Sequence, residues 1–476
     1  MNNLIDQPFN NSQMKDKTYN STYIFGITLV ATLGGLLFGY DTAVISGAEK
    51  SIQMYLIDSL GLGAFAHGAT VSSALIGCII GGAISGFLSN RLGRKKSLQL
   101  AGFLFFTSAL GSAFPEFLFF EKGNPTSGLL AMFNFYRIWG GIGVGLASAV
   151  CPTYIGEIAP AEIRGRLVSF NQFAIIFGML VVYFVNWGIA NGQTIEWIND
   201  TGWRYMFMSE AIPAGLFFVL LFFVPESPRY LALTHNEQKA LSVLEKINTS
   251  KEQAKQILAD ITSTLDETTK SKLFSYGKKV IIIGILLSVF QQFVGINVVL
   301  YYAPRIFESM GVARDASMFQ TIVMGLVNVI FTVVAIVTVD KWGRKPLLIT
   351  GSIGMAIGMI AIAILSYLGM ISVLTLVFII IFTASFMMSW GPICWVYISE
   401  LFPNKIRGQA VAIAVAAQWT ANYLISSTYH GMMEFSSAFT YGFYGVMAIL
   451  SALFVWKIVP ETKGKTLEQI EYFWKK

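Results

Sequence analysis

Twelve apolar windows recur along this chain, each close to the length that crosses a bilayer, and nothing else constrains its fold as tightly. They fall near residues 22–44, 68–90, 97–115, 128–152, 166–190 and 205–224, then near 280–303, 317–339, 346–368, 372–398, 408–430 and 437–458. At 1.5 Å of helix per residue, about 20 residues cross a hydrocarbon layer of ~30 Å, and helices satisfy their own backbone there. Of the 476 residues, 54% are hydrophobic and only 13% charged, whereas soluble domains carry about 25% charge. The expected fold is an all-α membrane protein of twelve transmembrane helices.

An even number of spans puts both termini on one side. Of the 33 Lys and Arg residues, 27 fall in the termini and even-numbered loops, and five (Lys50, Lys122, Arg204, Arg305, Arg314) in the odd-numbered loops; Arg137 sits inside a span. Nine of the 27 belong to the long central loop, and the remaining 18 against five place the termini in the cytoplasm. The net charge of +6 is thus an orientation signal and needs no nucleic-acid partner. Cys78, Cys151 and Cys394 all lie in apolar spans, so no disulfide framework is expected. Residues 1–20 are polar, lack a cleavable-signal pattern and read as a cytoplasmic tail.

The chain also repeats itself. Leu92-Gly-Arg-Lys-Lys-Ser-Leu98 is echoed by Trp342-Gly-Arg-Lys-Pro-Leu-Leu348. Tyr154-Ile-Gly-Glu-Ile-Ala-Pro-Ala-Glu-Ile-Arg-Gly-Arg166 returns as Tyr397-Ile-Ser-Glu-Leu-Phe-Pro-Asn-Lys-Ile-Arg-Gly-Gln409, identical at seven of 13 positions. Val224-Pro-Glu-Ser closes one half and Val459-Pro-Glu-Thr the other. Two pseudo-symmetric six-helix bundles follow, 21–224 and 280–458, with a cytoplasmic helical linker at 225–279 and a tail at 459–476. The linker holds amphipathic patterns such as Ile257, Leu258, Ile261 and Leu265, which predict short helices beneath the membrane domain.

Within this frame, polar residues at membrane depth are the candidate functional groups. Phe290 to Pro304 continues the apolar run Val280–Val289 yet carries Gln291, Gln292 and Asn297, side chains that both donate and accept hydrogen bonds. On an ideal helix Gln292 and Asn297 lie about 140° apart, so convergence on one ligand requires a break near Gly295. A broken membrane helix with amides at mid-depth suits a neutral, polyhydroxylated solute. Amides bonded only to neighbouring helices are the alternative. Asn328, Trp395 after Gly391-Pro-Ile-Cys394, and Gln418-Trp419 with Asn422 extend the amide and aromatic set in the second half.

Charges tell the other part. Asp41, Arg137 and Glu210 are the ionisable residues deep in apolar windows, and all belong to the first half. Two carboxylates and one guanidinium leave a charge of −1, which one proton neutralises. A changing Asp41–Arg137 distance would alter the proton affinity of Asp41, and that is a coupling device; a fixed structural ion pair is the alternative. At the loop motifs, Glu157 with Arg164 and Glu400 with Arg407 recur at the same spacing, joined by Arg94, Arg344, Glu226 and Arg229. These read as inter-helix ion pairs of a cytoplasmic gate that form when the protein opens outward and break when it opens inward, able as a network to bias the two conformations; ordinary topology charges are the alternative.

The motifs together identify a family resemblance covering essentially the whole chain after residue 20. Gly-Arg-Lys in both halves, Pro225-Glu-Ser-Pro-Arg229, Gln291-Gln292 and Pro460-Glu-Thr-Lys-Gly464 resemble the sugar porters of the major facilitator superfamily, and in particular their xylose–proton symporters. The resemblance implies alternating access about a central sugar site, with Gln172, Gln291, Gln292, Asn297, Trp395 and Gln418 at sugar-contacting positions and Phe38 and Tyr301 at apolar or gating contacts. It implies that Asp41 carries the proton, with Arg137 its partner and Glu210 a modulator, since the proton-coupled members carry Asp where Asp41 stands and the animal glucose facilitators, as uniporters, carry Asn. Met179 departs from the pattern, replacing a glutamine of the xylose carriers with a thioether that cannot donate a hydrogen bond.

The expected function is proton-coupled import of a monosaccharide, D-xylose first, by a monomer in a bacterial inner membrane. A uniporter for glucose or another aldose, and a membrane sugar sensor, are the rivals. No cofactor, metal or enzymatic activity is expected: the chain has three His, and no phosphate-binding loop or metal-ligand spacing appears.

Overall fold

The computed structural model describes residues 19–117, 119–160, 163–266, 273–309, 311–371, 373–403, 406–463 and 474. Most of the two expected tails, 1–18 and 464–473, therefore lies outside the described residues. The first half contains α1 (Ser21–Ile52), α2 (Ala64–Val71), α3 (Ser73–Leu92), α4 (Arg94–Ala113), α5 (Ser127–Ile158), α6 (Arg164–Ala190), α7 (Ile195–Trp197), α8 (Trp203–Ser209) and α9 (Ala211–Leu220). The linker forms α10 (Pro228–Leu233), α11 (Glu237–Ile247) and α12 (Lys251–Asp266). The second half contains α13 (Lys278–Phe293), α14 (Ile296–Ser309), α15 (Arg314–Trp342), α16 (Arg344–Tyr367), α17 (Val373–Met387), α18 (Trp390–Leu401), α19 (Arg407–Phe435) and α20 (Ser437–Ile458).

Nine helical stretches among the described residues are long and apolar enough to cross a bilayer. The other three expected spans are helical as well. Polar residues dilute α4, which opens Arg94-Lys95-Lys96, and α19, which carries Gln418, Asn422 and His430. The sixth span is divided into α8 and α9 at Glu210, three residues before Pro213, whose ring cannot continue a helix without loss of a hydrogen bond.

The duplication is visible in the packing. In the first half α1 lies against α6, α4 against α9 and α3 against α5; in the second α13 lies against α19, α16 against α20 and α15 against α17. Small residues allow the closest approaches: a Cβ on Gly77 would stand 2.0 Å from the carbonyl oxygen of Ile138, and one on Gly141 1.9 Å from that of Ala74. The halves meet where α6 packs on α15, α2 and α3 on α19, and α1 on α14. The linker is fastened to the start of α1 through the Asn20 amide, which donates to Ile247 at 2.8 Å, and a bridge between Tyr19 and Asn248. The linker marks one end of the bundle, the linker end; the opposite one is the far end.

Candidate functional site

Two adjacent sets of groups form the candidate site: a charged set inside the first half and an amide set at a break in the second. Asp41, on α1, and Arg137, on α5, are both buried. Arg137 Nη1 donates to Asp41 Oδ1 at 2.6 Å and Nη2 to the Asp41 carbonyl at 3.3 Å, while its guanidinium rests over the Phe207 ring. Glu210 occupies the joint between α8 and α9, 1% exposed, with its carboxyl group beside that of Asp41. It stands within electrostatic reach of both Asp41 and Arg137. The three charges thus share one buried site, a costly arrangement unless charge is balanced.

The expected break is present. α13 ends at Phe293 and α14 starts at Ile296, with Gly295 at φ +89°, a conformation that L side chains rarely adopt. The interruption turns Asn297 back toward the preceding helix, where its Nδ2 donates to Gln292 Oε1 at 2.5 Å. Gln292 Nε2 in turn donates to Gln291 Oε1 at 3.3 Å, and Gln291 Nε2 to the carbonyls of Trp390 and Gly391 at 2.8 and 3.3 Å. Those carbonyls begin α18, itself separated from α17 at Met388 and Ser389. The amide chain therefore joins two broken helices.

The remaining sugar-site residues are distributed around this joint. Phe38 and Trp419 meet across the two halves with ring centroids 5.6 Å apart. Tyr301 accepts from Asn422 Nδ2 at 3.3 Å, and Tyr183 reaches across from α6 to the Leu300 carbonyl at 3.3 Å. Gln418 Oε1, Trp419 Nε1 and Asn328 Oδ1 are buried without a protein hydrogen-bond partner and are able to bond a polar ligand. Gln172 and Trp395 are half-buried, on α6 and α18, and Met179 is buried on α6.

At the linker end the repeated charges form one motif twice. Arg94 Nε and Nη2 grip Glu157 at 2.9 and 2.8 Å, and Arg344 Nη2 donates to Glu400 at 2.9 Å. Glu226 accepts from the backbone amides of Arg94 and Lys95, as Glu461 does from Arg344 and Lys345. Ser227 donates to Glu157, and Thr462 to Glu400. Burial pushes the Glu226 carboxyl above its ordinary value, partly opposed by the amides of Ser227, Lys95 and Arg94. These pairs join helices of the same half, so, contrary to the expectation of pairs that break on inward opening, they can stay formed while the halves part. Arg164 is exposed and reaches the Ala159 carbonyl at 3.5 Å; Arg229 is exposed; the side chain of Arg407 lies outside the described residues.

The far end holds residues that sequence reasoning passed over. Arg204, counted above as a loop charge, is 3% exposed; its guanidinium forks onto Glu116 at 2.8 and 2.5 Å, and Tyr55 donates to the same carboxylate at 2.9 Å. Glu49, five residues beyond the first apolar window, is buried too, and Arg305 from the second half donates to it at 3.2 Å. Lys50 pairs with Glu308 at 2.5 Å. Lys50–Glu308 and Arg305–Glu49 cross between the halves, and both tie them together at the far end.

A profile of the family described as "Sugar (and other) transporter" matches residues 27–474. The chain belongs to the sugar transporter family. Among its relatives in this sugar transporter family, the D-xylose-proton symporter of Escherichia coli (strain K12) is 54% identical, the match covering 96% of each chain. The glucose facilitated diffusion protein of Zymomonas mobilis is 37% identical over 94% of this chain and 97% of its own. Among solved sugar transporter structures, the inward open conformation of the xylose transporter XylE from E. coli aligns with a TM-score of 0.86 at 52% identity, covering 95% of this chain and all of that one. The chain is accordingly a multi-pass membrane protein of the major facilitator fold.

Proposed function

We propose that the protein imports a monosaccharide, D-xylose in the first place, together with a proton, across a bacterial inner membrane with both termini in the cytoplasm, and that it works as a monomer. One observation carries the coupling: a buried Asp41–Arg137 pair with Glu210 beside it, two acids and one base with no access to bulk water. A proton on one acid makes the set neutral, and only a neutral set is cheap to carry through a change of packing. Sugar bridges the halves, using Gln291, Gln292, Asn297, Trp395 and Gln418 on one side and Gln172 on the other, with Asn328, Trp419, Phe38, Tyr301, Gly391 and Met179 around it. A ligand held by both halves favours the state in which they close on it.

The closed far end and the intra-half pairing at the linker end fit a conformation open toward the linker, that is toward the cytoplasm. The choice of D-xylose rests on the E. coli symporter. The driving force suffices: one proton crossing about 150 mV supplies ~3.5 kcal/mol, enough for accumulation of a few hundredfold. The Z. mobilis relative, named for facilitated diffusion, keeps uniport as the second reading. Sugar added to a weakly buffered suspension of energy-depleted cells separates the two. The symporter alkalinises the medium in proportion to uptake; uptake with no pH change rejects coupling.

A further inference from the structure

At the far end three ligating side chains from both halves are buried against one another. Glu49 comes from α1, His67 from α2 and His430 from α19, with exposures of 2, 1 and 5%. A ring nitrogen from each histidine and a carboxylate oxygen of Glu49 lie within 4.8 Å of one another. The imidazoles face each other with centroids 4.2 Å apart at 31°. His67 Nε2 lies 3.2 Å from Glu49 Oε2 and 3.3 Å from the Glu49 carbonyl. His430 Nε2 is buried with no hydrogen-bond partner, and so is the hydroxyl of Tyr302, whose ring abuts His430 at 4.7 Å. None of these groups belongs to the sugar or proton sets.

We propose that Glu49, His67 and His430 form a binding site for a divalent transition-metal ion of the zinc type, which latches the far end shut. Two imidazoles and one carboxylate, with a fourth position left to water, are a donor set zinc accepts, at about 2.0–2.2 Å per bond. Donors at that distance in a tetrahedral site stand about 3.4 Å apart, so atoms now within 4.8 Å of one another close on an ion through shifts of about 1 Å. Arg305, the cation paired with Glu49, does not block the ion. Its side chain is 36% exposed and already donates to Gln53 Oε1 at 2.6 Å, so it can release Glu49 without losing its partner.

The latch follows from where the donors come from. Glu49 and His67 stay together on the first half when the far end opens, whereas His430 leaves with the second. The closed state offers three protein donors and the open state two, so the ion binds the closed state more tightly and shifts the population toward it by the ratio of the two affinities. Hard cations such as Mg2+, which prefer oxygen ligands, gain nothing from imidazoles.

The test uses the purified full-length protein, freed of any histidine tag. Zinc chloride is the probe, first by equilibrium dialysis without sugar and then in sugar counterflow with proteoliposomes. One zinc ion per chain at micromolar concentration, and counterflow slowed at least tenfold and restored by EDTA, is expected; Mg2+ leaves counterflow unchanged. His430→Ala weakens zinc binding at least tenfold while metal-free counterflow persists. His430→Gln and His67→Gln, which keep polar groups at these places, carry the same comparison should the alanine variant fail to fold. Wild-type protein that binds no zinc, or variants that bind it as tightly as wild type, overturn the proposal. The dialysis arm is independent of transport, so it stands or falls apart from the symport reading.

Discussion

Arg137 holds Asp41 at two points, its Nη1 on the carboxylate at 2.6 Å and its Nη2 on the backbone carbonyl of the same residue at 3.3 Å. The second bond anchors the guanidinium to α1 whether or not the carboxylate is charged. Protonation of Asp41 can therefore loosen the pair without losing its register, which suits a site that must re-form in every cycle.

Asp41→Asn keeps the shape and the backbone anchor but fixes the residue in a neutral form. Arg137 and Glu210 then balance with no proton. Accumulation against a gradient is expected to collapse from hundreds-fold to unity, while counterflow, which needs no net proton movement, continues. Radiolabelled sugar uptake and counterflow in the same proteoliposomes check this, and an asparagine variant that still concentrates sugar sinks the assignment.

The repeated motif at the linker end predicts unequal losses. The side chains of Arg94 and Glu157 are 9 and 12% exposed, those of Arg344 and Glu400 12 and 25%. A charge-assisted bond weakens as water reaches it. Glu157→Gln, which leaves Arg94 without its doubly held anion, should cost about 1–3 kcal/mol, and Glu400→Gln about half as much or less. Apparent melting temperatures in detergent order the two variants; an equal or reversed order contradicts the reading.

Glu116 gives the pH dependence. Burial acts to raise its carboxyl, but the fork from Arg204, with help from Tyr55, outweighs that and brings it below its ordinary value. The folded state thus binds this proton more weakly than the unfolded one. The stabilisation is complete above the ordinary carboxylate range and is lost as pH falls through the lowered value. Wild-type thermal stability should decline on acidification below about pH 5, and Glu116→Gln should remove part of that slope while lowering stability at neutral pH. Parallel melts from pH 4 to 7 decide it.

These contrasts also mark what the sequence made legible. The apolar windows and the repeat carried the fold, because bilayer thickness and helix rise leave few solutions. The break at Gly295 was readable because two amides on opposite sides of a helix converge only if the helix yields. Glu49 and Arg204 were not readable in the same way. Both fall at window edges, where a charge is ordinarily solvated, and only the tertiary packing of α1, α2, α8 and α14 removes them from water. His67 and His430 are 363 positions apart, a separation at which no spacing rule for metal ligands operates.

Gly295→Ala tests the break. At φ +89° an alanine is strained, and its Cβ would stand 2.7 Å from the Tyr444 ring. The strain costs about 1–2 kcal/mol. Since Asn297 reaches Gln292 only through this turn, sugar affinity should fall at least tenfold. Combining it with Tyr444→Ala relieves the clash but not the backbone strain, so binding recovers only in part. Full recovery in the double variant would mean that crowding, and not the left-handed turn, sets the amide geometry.

Met179 is the place to ask about the sugar. It is buried on α6 beside Gly39, whose added Cβ would lie 3.1 Å from the Met179 amide nitrogen, so the residue sits at the tight crossing of α1 and α6 where its backbone cannot move far. Met179→Gln has nearly the same length and adds a donor and an acceptor. One new hydrogen bond to the sugar is worth about 1 kcal/mol, or roughly fivefold in relative affinity. In a competition panel of pentoses and hexoses, the variant should shift toward D-xylose by that factor relative to hexoses. A uniform loss across the panel would instead show an unsatisfied amide buried away from the ligand, and would assign Met179 to packing between the two helices.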